Sequence, residues 1–201
     1  MIQKEAIPAG NEWIDKSVRE FGGNPFVRID KDWMLITAGN AIPCDSKTAC
    51  DKAAGCVKRK SNWNTMTASW GGLGVLWSRD VAFIFIRPSR CTYDFANNGS
   101  IFTLSFFDET YRSALKLCGE KSGRDIDKAE AAGLTPIFFT ADDSIEGAVS
   151  FKEAKEIIFC RKIYFQDLDP AHFLDPSIEK NYKGSDYHRL YIGEVIGFKS
   201  R

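Results

Sequence analysis

The sequence lacks an excess of charge of either sign, because 27 lysines and arginines balance 27 aspartates and glutamates. Nucleic-acid-binding proteins usually carry a basic excess, so we expect no nucleic-acid partner. The chain also lacks an apolar run of the roughly 18 to 20 residues that span a bilayer, so we expect no membrane partner. No basic segment followed by an apolar stretch marks a secretory signal, and we therefore expect a cytoplasmic location.

Several familiar site signatures are also missing. The segment 119–122 (Gly-Glu-Lys-Ser) breaks the Gly-Lys pair of a phosphate loop, and its earlier glycine is absent. The cluster Gly71-Gly72-Leu73-Gly74 lacks the spacing of a dinucleotide fingerprint and predicts a turn. No Gly-x-Ser-x-Gly elbow supports a Ser-His-Asp triad. His172 and His188 leave such a triad open, but without the elbow we assign no catalytic residue.

Apolar and aromatic residues are abundant, at 44% and 13% of the chain, which indicates a well-filled interior. Helices are few and short: we expect them over 11–20, 92–96, 110–118, 126–132 and 177–182, with Gly119 and Gly133 as stops. Segments with strand character are more numerous and do not alternate regularly with helices, which favours a β-barrel with a few peripheral helices in a single domain over 1–201. We predict strands at 33–38, 64–70, 81–86, 101–107, 137–140, 148–151, 155–166 and 187–198.

The segment 41–62 differs from its surroundings because it is polar, and we interpret it as a surface insertion between two strands. It contains Cys44, Cys50 and Cys56, each separated from the next by five residues, which is wider than the roughly two to four residues of a structural zinc pair. No histidine lies nearby, so we predict no metal site. The other three cysteines lie in apolar contexts typical of buried, inert thiols: Cys91, Cys118 and Cys160.

Four segments carry the most distinctive pattern in the chain: 64–72 (NTMTASWGG), 81–92 (VAFIFIRPSRCT), 102–107 (FTLSFF) and 119–125 (GEKSGRD). In this order and spacing they resemble the flavin reductase-like family, in particular its short flavoredoxin-like members. The resemblance extends from about Trp33 to about Gly193. It implies an FMN-binding split β-barrel and a homodimer with one flavin per subunit.

The chemistry of FMN suits two cationic groups in these segments. Its dianionic phosphate needs cations and compact hydrogen-bond donors, which occur at 89–92 and again at 121–124, where a glycine permits close backbone approach. The strand 64–70 offers backbone amides and hydroxyls for the flavin ring and the ribityl chain. The predicted FMN-binding residues are Asn64, Thr65, Met66, Thr67, Ala68, Ser69, Trp70, Ser89, Arg90, Thr92, Lys121, Ser122, Gly123, Arg124 and His188.

Alternatives remain open for single residues. A strand rich in threonine and serine is also ordinary barrel wall, and Arg90 and Arg124 also suit a solvated surface. Of the two histidines, either His172 or His188 could face a flavin, where a ring N–H donates a hydrogen bond or a proton. A structural histidine paired with a nearby carboxylate is an equal alternative.

The resemblance implies an NAD(P)H-dependent flavin reductase, in which NADH or NADPH transfers hydride to bound FMN and the electrons pass to an acceptor. The alternative is a flavoredoxin-type electron carrier that accepts electrons from a redox protein. A barrel that has lost its flavin is a third reading, which the retained basic residues argue against.

Overall fold

A computed structural model of the chain describes residues 13–39, 62–139 and 144–201, and within these ranges strands predominate. The strands are β1 (Ile14–Asp15), β2 (Met34–Gly39), β3 (Trp63–Ala68), β4 (Gly71–Leu76), β5 (Arg79–Ile86), β6 (Ile101–Phe106), β7 (Pro136–Phe139), β8 (Ala148–Phe151), β9 (Glu156–Asp167) and β10 (Arg189–Ser200).

Helices are short in the described residues. The α-helices are α1 (Pro25–Val27), α2 (Cys91–Asn98), α3 (Arg112–Glu120) and α4 (Lys128–Ala132). A π-helical turn covers Arg28–Asp32, and 3-10 turns cover Val18–Glu20, Glu109–Tyr111, Pro170–His172 and Pro176–Asn181. No helix of the described ranges is long and apolar enough to cross a membrane.

One antiparallel sheet of eight strands forms the body of the fold, in the order β3-β2-β6-β9-β10-β5-β4, with β1 added to β10. The two end strands, β3 and β4, follow each other in the chain and are joined only by Ser69 and Trp70. Because so short a connection brings the two ends together, the sheet must curl into a barrel. No ladder joins β3 to β4 in the described part, so the barrel is split at this point.

Two hydrophobic clusters lie on opposite faces of the sheet. On β2, Met34 and Ile36 belong to the cluster inside the barrel, whereas Leu35 belongs to a second cluster on the outside. This follows from the two-residue period of a strand. The outer cluster lies beneath α3, α4 and the β7–β8 hairpin, so β2 is buried on both faces.

The first predicted helix, over 11–20, is wrong for its described part, since β1 and the 3-10 turn Val18–Glu20 stand there. Ser17 caps that turn, accepting a hydrogen bond from the Arg19 N–H, while Glu20 accepts one from the Ser17 N–H. The 3-10 turn therefore begins directly after its cap, Ser17. Ile14 and Asp15, which precede it, pair with Ser200 and Lys199 of β10 instead.

The predicted turn at the glycine cluster 71–74 is also wrong, because this segment is strand β4. A Cβ at Gly71 would stand 2.7 Å from the Phe83 carbonyl oxygen of β5, whereas one at Gly72 or Gly74 would make ordinary contact with the Phe83 ring at 3.5 and 3.6 Å. The turn itself lies at Trp77 and Ser78, whose φ angles of 51° and 59° fit a two-residue type I′ hairpin.

The other predicted elements are present with shifted ends. The third helix was expected to stop at Gly119, but α3 continues through that residue to Glu120. Gly133 does end α4, in the left-handed conformation with φ of 67°. The predicted insertion 41–62, including Cys44, Cys50 and Cys56, lies outside the described residues except for Asn62. It connects β2 to β3, which are paired neighbours.

Candidate functional site

A cavity of about 380 Å³ lies where the end of β5, the start of α2 and the loop between α3 and α4 meet. We call it the basic cavity. Its described lining residues include four basic and two acidic side chains, so its potential favours an anion. The lining is Met66, Arg87, Ser89, Arg90, Cys91, Thr92, Glu120, Lys121, Ser122, Gly123, Lys128 and Asp186.

The first predicted cationic group lies in this cavity as expected, on the turn that follows β5. The Arg90 N–H donates to the Arg87 carbonyl over 2.9 Å, and Arg90 is the residue before the first turn of α2. Arg90 Nη1 donates to the Gly119 carbonyl of α3 over 2.8 Å. This bond holds the guanidinium across the gap between the two helices, so Arg90 is not a freely solvated surface charge.

Gly119 explains why α3 can lie so close to β3. A Cβ at Gly119 would stand 3.3 Å from Cβ of Thr67, tighter than ordinary van der Waals contact. The Thr67 hydroxyl donates to the Leu115 carbonyl one turn earlier in the same helix. Gly119, which the sequence predicts to be a helix stop, therefore permits the close contact between α3 and β3. That contact positions the 121–124 loop.

The second predicted cationic group divides into two parts. Lys121, Ser122 and Gly123 line the basic cavity, and the exposed side chain of Lys121 makes no hydrogen bond or ion pair with the described residues. Arg124 lies outside the lining. Its Nη1 donates to the Ser89 carbonyl over 2.8 Å and its Nη2 lies 3.5 Å from Asp94, so it connects the two loops.

Strand β3 contributes less to the cavity lining than predicted. Met66 is its one described side chain there. Asn64 Nδ2 donates to the Thr92 hydroxyl over 2.8 Å, which fixes Thr92 from behind. Thr65 is fully buried and donates to the Ile36 carbonyl over 3.2 Å. The hydroxyls of Thr65 and Thr67 therefore bond within the barrel wall, which is the alternative left open for this strand. Ala68 is buried in the core, and Ser69 is half-buried.

Lys128 is a basic residue of the cavity that sequence reasoning missed. It is only 5% exposed, and its Nζ donates to the Thr65 carbonyl over 3.0 Å and to the Cys118 carbonyl over 2.7 Å. It occupies the first residue of α4, where the helix dipole disfavours a cation. The local signal in the sequence was a lysine directly after the helix-capping Asp127, at the end of a helix that does not favour a cation. Arg87 and Asp186 of the lining were missed as well.

His188 lies in an aromatic cluster next to the basic cavity. Its ring centroid is 5.1 Å from that of Trp70, and its Nδ1 is 3.0 Å from the Tyr182 hydroxyl. Burial, and then the Arg87 guanidinium, lower the pKa of His188 to about 4, so the ring is neutral at pH 7. Trp70 remains 45% exposed. His172 is exposed at the end of a 3-10 turn. His188 does not line the basic cavity, but it lies close enough to Arg87, Arg90 and Asp186 of the lining for their charges to act on it.

Three cysteines are buried as predicted. Burial raises the pKa of the Cys118 thiol to about 11 and raises that of Cys160 as well, which disfavours their thiolates. Cys91 differs from them because it lines the basic cavity. The described residues contain no group of three metal-ligating side chains.

No protein-family model matches the chain, and no curated protein matches it. Solved structures do. An FMN-binding domain of a flavin reductase-like enzyme from Shewanella baltica is 12% identical, with a TM-score of 0.59, over 94% of this chain and 78% of that one.

Two further solved structures are similar to this chain. Flavoredoxin from Desulfovibrio vulgaris is 19% identical, with a TM-score of 0.57, over 84% of this chain and 69% of its own. An NADH:FAD oxidoreductase from Streptomyces globisporus is 14% identical, with a TM-score of 0.54, over 85% of this chain and 75% of its own. This chain therefore has the split β-barrel fold of flavin reductase-like proteins, and the fold class predicted from the sequence is confirmed.

Proposed function

We propose that this protein binds FMN, with the phosphate in the basic cavity, and acts as an NAD(P)H-dependent flavin reductase. One observation carries the proposal. Two cationic segments about thirty residues apart in the sequence, which were predicted to share one ligand, line a single cavity. The similarity to FMN-binding split barrels supports the choice of ligand.

The chemistry of the lining fits a phosphate dianion. Arg90 and Lys121 offer charge, and the Ser122 hydroxyl accepts the Arg124 N–H over 3.1 Å while its own proton remains available to donate. Gly123 lets an anion approach the backbone. Lys128 adds a buried amine donor to the lining, because its side chain is only 5% exposed.

Bound FMN would supply the redox chemistry, since its ring accepts hydride from a nicotinamide and passes electrons on. The chain supplies binding and orientation. The exposed ring of Trp70 offers a surface on which a flat heteroaromatic can stack. Neutral His188 offers a hydrogen bond rather than a positive charge. No nucleophile is needed for such a reaction.

The test is an absorption spectrum of the purified protein with FMN, before and after anaerobic addition of NADH or NADPH. We expect a flavin band that bleaches. A band that bleaches only with a reduced redox protein would favour the electron-carrier alternative, and no band after addition of FMN would refute the proposal. Lys121→Gln is expected to weaken FMN binding about tenfold, whereas Lys31→Gln, at an exposed lysine paired with Asp30, should not.

A homodimer and a cytoplasmic location complete the proposal. Apolar side chains that are partly exposed on the β4–β5–β10–β9 side of the barrel support a second copy of this chain as the partner. They include Val75 at 65%, Trp77 at 60% and Tyr164 at 39% exposure, and the last two rings lie 6.2 Å apart. Light scattering that gives twice the mass of one chain is the expected result, and a monomer mass would contradict it.

A further inference from the structure

A buried hydrogen bond joins Tyr182 to His188 next to the basic cavity. The two residues are only 5% and 8% exposed, and the Tyr182 hydroxyl lies 3.0 Å from His188 Nδ1. Their rings are close to perpendicular, at 79°, with centroids 5.5 Å apart. A neutral imidazole carries one proton, on Nδ1 or on Nε2. The direction of this hydrogen bond therefore decides whether Nε2 of His188 is a donor or an acceptor.

The surroundings of the Tyr182 hydroxyl determine that direction. In the described part of the chain its one hydrogen-bond partner is His188 Nδ1. Burial raises the pKa of the phenol, so Tyr182 is protonated at pH 7. A buried hydroxyl proton without an acceptor is costly, and Nδ1 accepts a proton only when it carries none of its own. Tyr182 is therefore the donor, and the proton of the neutral His188 ring lies on Nε2.

The Tyr182 ring is held in position by its neighbours. The guanidinium carbon of Arg87 lies 5.1 Å from the Tyr182 ring centroid, and its Nη2 donates to the Asn181 carbonyl over 2.8 Å. The Phe173 ring stacks on Tyr182 at 5.8 Å with 23° between the planes, and the Tyr187 ring lies 4.9 Å away. Because Arg87 also lines the basic cavity, one arginine connects the cavity to this tyrosine.

The other ring nitrogen of His188, Nε2, is open to a ligand. It makes no hydrogen bond with the described residues, and it is not one of the fully buried polar atoms among them that lack a partner. The ring centroid of the exposed Trp70 lies 5.1 Å from that of His188. A proton on Nε2 therefore makes His188 a hydrogen-bond donor beside the ring on which a flavin can stack.

We propose that Tyr182 is a positioning residue: it holds His188 in the tautomer with the proton on Nε2, so that His188 donates a hydrogen bond to the flavin ring. The inference rests on the proposed function, because the flavin supplies the acceptor. The edge of an isoalloxazine presents carbonyl oxygens and unprotonated ring nitrogens, which accept hydrogen bonds. The opposite tautomer would turn the Nε2 lone pair toward these acceptors, and the bond would be lost.

The first experiment needs neither flavin nor a change at the site. Nitrogen-15 NMR of the full chain at pH 7 distinguishes the two tautomers of a neutral histidine, and the chain contains only two histidines. His172→Gln removes one signal and so assigns the other to His188. We expect the proton of His188 on Nε2. A proton on Nδ1 would overturn the inference, because Tyr182 would then be the acceptor.

The second experiment is Tyr182→Phe, which removes only the hydroxyl. His188 Nδ1 then lacks its donor, so the NMR signals should move toward a mixture of the two tautomers. Tyr187→Phe is the matched control, since it removes a hydroxyl of the same aromatic cluster that donates to Glu179 instead. Circular dichroism should show that both variants are folded. An unchanged tautomer in Tyr182→Phe would show that Tyr182 does not set it.

Flavin affinity tests whether the Nε2 proton meets the flavin ring. Tyr182→Phe should weaken the binding of FMN and of riboflavin alike, by about three- to tenfold, because the lost bond is to the ring and not to the phosphate. Tyr187→Phe should bind both flavins as tightly as the unmodified protein does. A changed tautomer without a loss of affinity, or a loss confined to FMN, would contradict the donor role. If the unmodified protein binds no flavin, the proposed function fails and the donor role fails with it, while the tautomer measured by NMR still stands.

Discussion

Replacing Lys128 by methionine tests whether the basic cavity holds a phosphate. The Lys128 side chain is 5% exposed, and its Nζ donates to the Thr65 and Cys118 carbonyls. Two unit charges about 4 to 6 Å apart, at an effective dielectric constant of about 20, interact by about 3 to 4 kcal/mol. Glu120 and Asp186 in the same lining reduce that field. We therefore expect FMN to bind about 10- to 100-fold more weakly to the variant, or about 1.4 to 2.8 kcal/mol.

Riboflavin, which lacks the phosphate, separates an effect at the phosphate site from an effect on the rest of the flavin site in this experiment. Fluorescence titration of the variant should show a large loss of affinity for FMN and little loss for riboflavin. Urea unfolding of the flavin-free variant should show a loss of about 1 to 3 kcal/mol, because the Thr65 and Cys118 carbonyls lose their donor. Lys31→Met, at an exposed lysine, is the control. Equal losses for FMN and riboflavin would refute the assignment of Lys128 to the phosphate.

Three further outcomes follow from the packing. Gly119→Val should destabilise the fold by about 1 to 3 kcal/mol in urea unfolding, because its side chain meets Thr67, whereas Gly22→Ala, which has open space around it, should be neutral. Because the pKa of His188 is lowered in the folded protein, the unfolded chain binds a proton at a higher pH than the folded chain does. The free energy of unfolding therefore has its full value above about pH 6.5 and falls by about 2 to 3 kcal/mol toward pH 4. His188→Gln should flatten that pH dependence, and an unchanged slope would contradict it. Iodoacetamide at pH 8, followed by peptide mass mapping, should leave Cys118 and Cys160 unmodified in the folded protein, and rapid labelling would contradict their burial.

The strands were predictable where their own residues have the β-branched and aromatic side chains typical of buried strands. Val81–Ile86 and Ile101–Phe106 consist largely of β-branched and aromatic residues, and both are strands within a residue or two of the predicted ends. Strand β4 could not be recognised in this way. Its first glycine, Gly71, is explained by the Phe83 carbonyl on the neighbouring strand, so the local sequence carries only the signal of a turn.

The candidate site was predictable for the residues that resemble a motif and not for those that the fold brings in. Ser89, Arg90 and Lys121 lie in the cavity as expected from their segments. Asp186 comes from a loop before β10, about a hundred residues after Ser89, and no local pattern links the two. Arg124 is the opposite case. Its motif predicts that it belongs to the site, whereas its side chain forms an ion pair with Asp94 and has a structural role.

Cations in the basic cavity, together with Arg124 just outside its lining, also hold the loops that form the cavity. Arg90 bonds the Gly119 carbonyl, Arg124 bonds the Ser89 carbonyl and Lys128 bonds the Thr65 carbonyl, so each connects two segments that are distant in sequence. Substituting any of them changes the shape of the cavity together with its charge. Lys121 makes no such bond with its side chain in the described residues. Its substitution therefore removes charge with the least disturbance of the fold, and its effect on FMN affinity is the most direct measure of what the cavity contributes electrostatically.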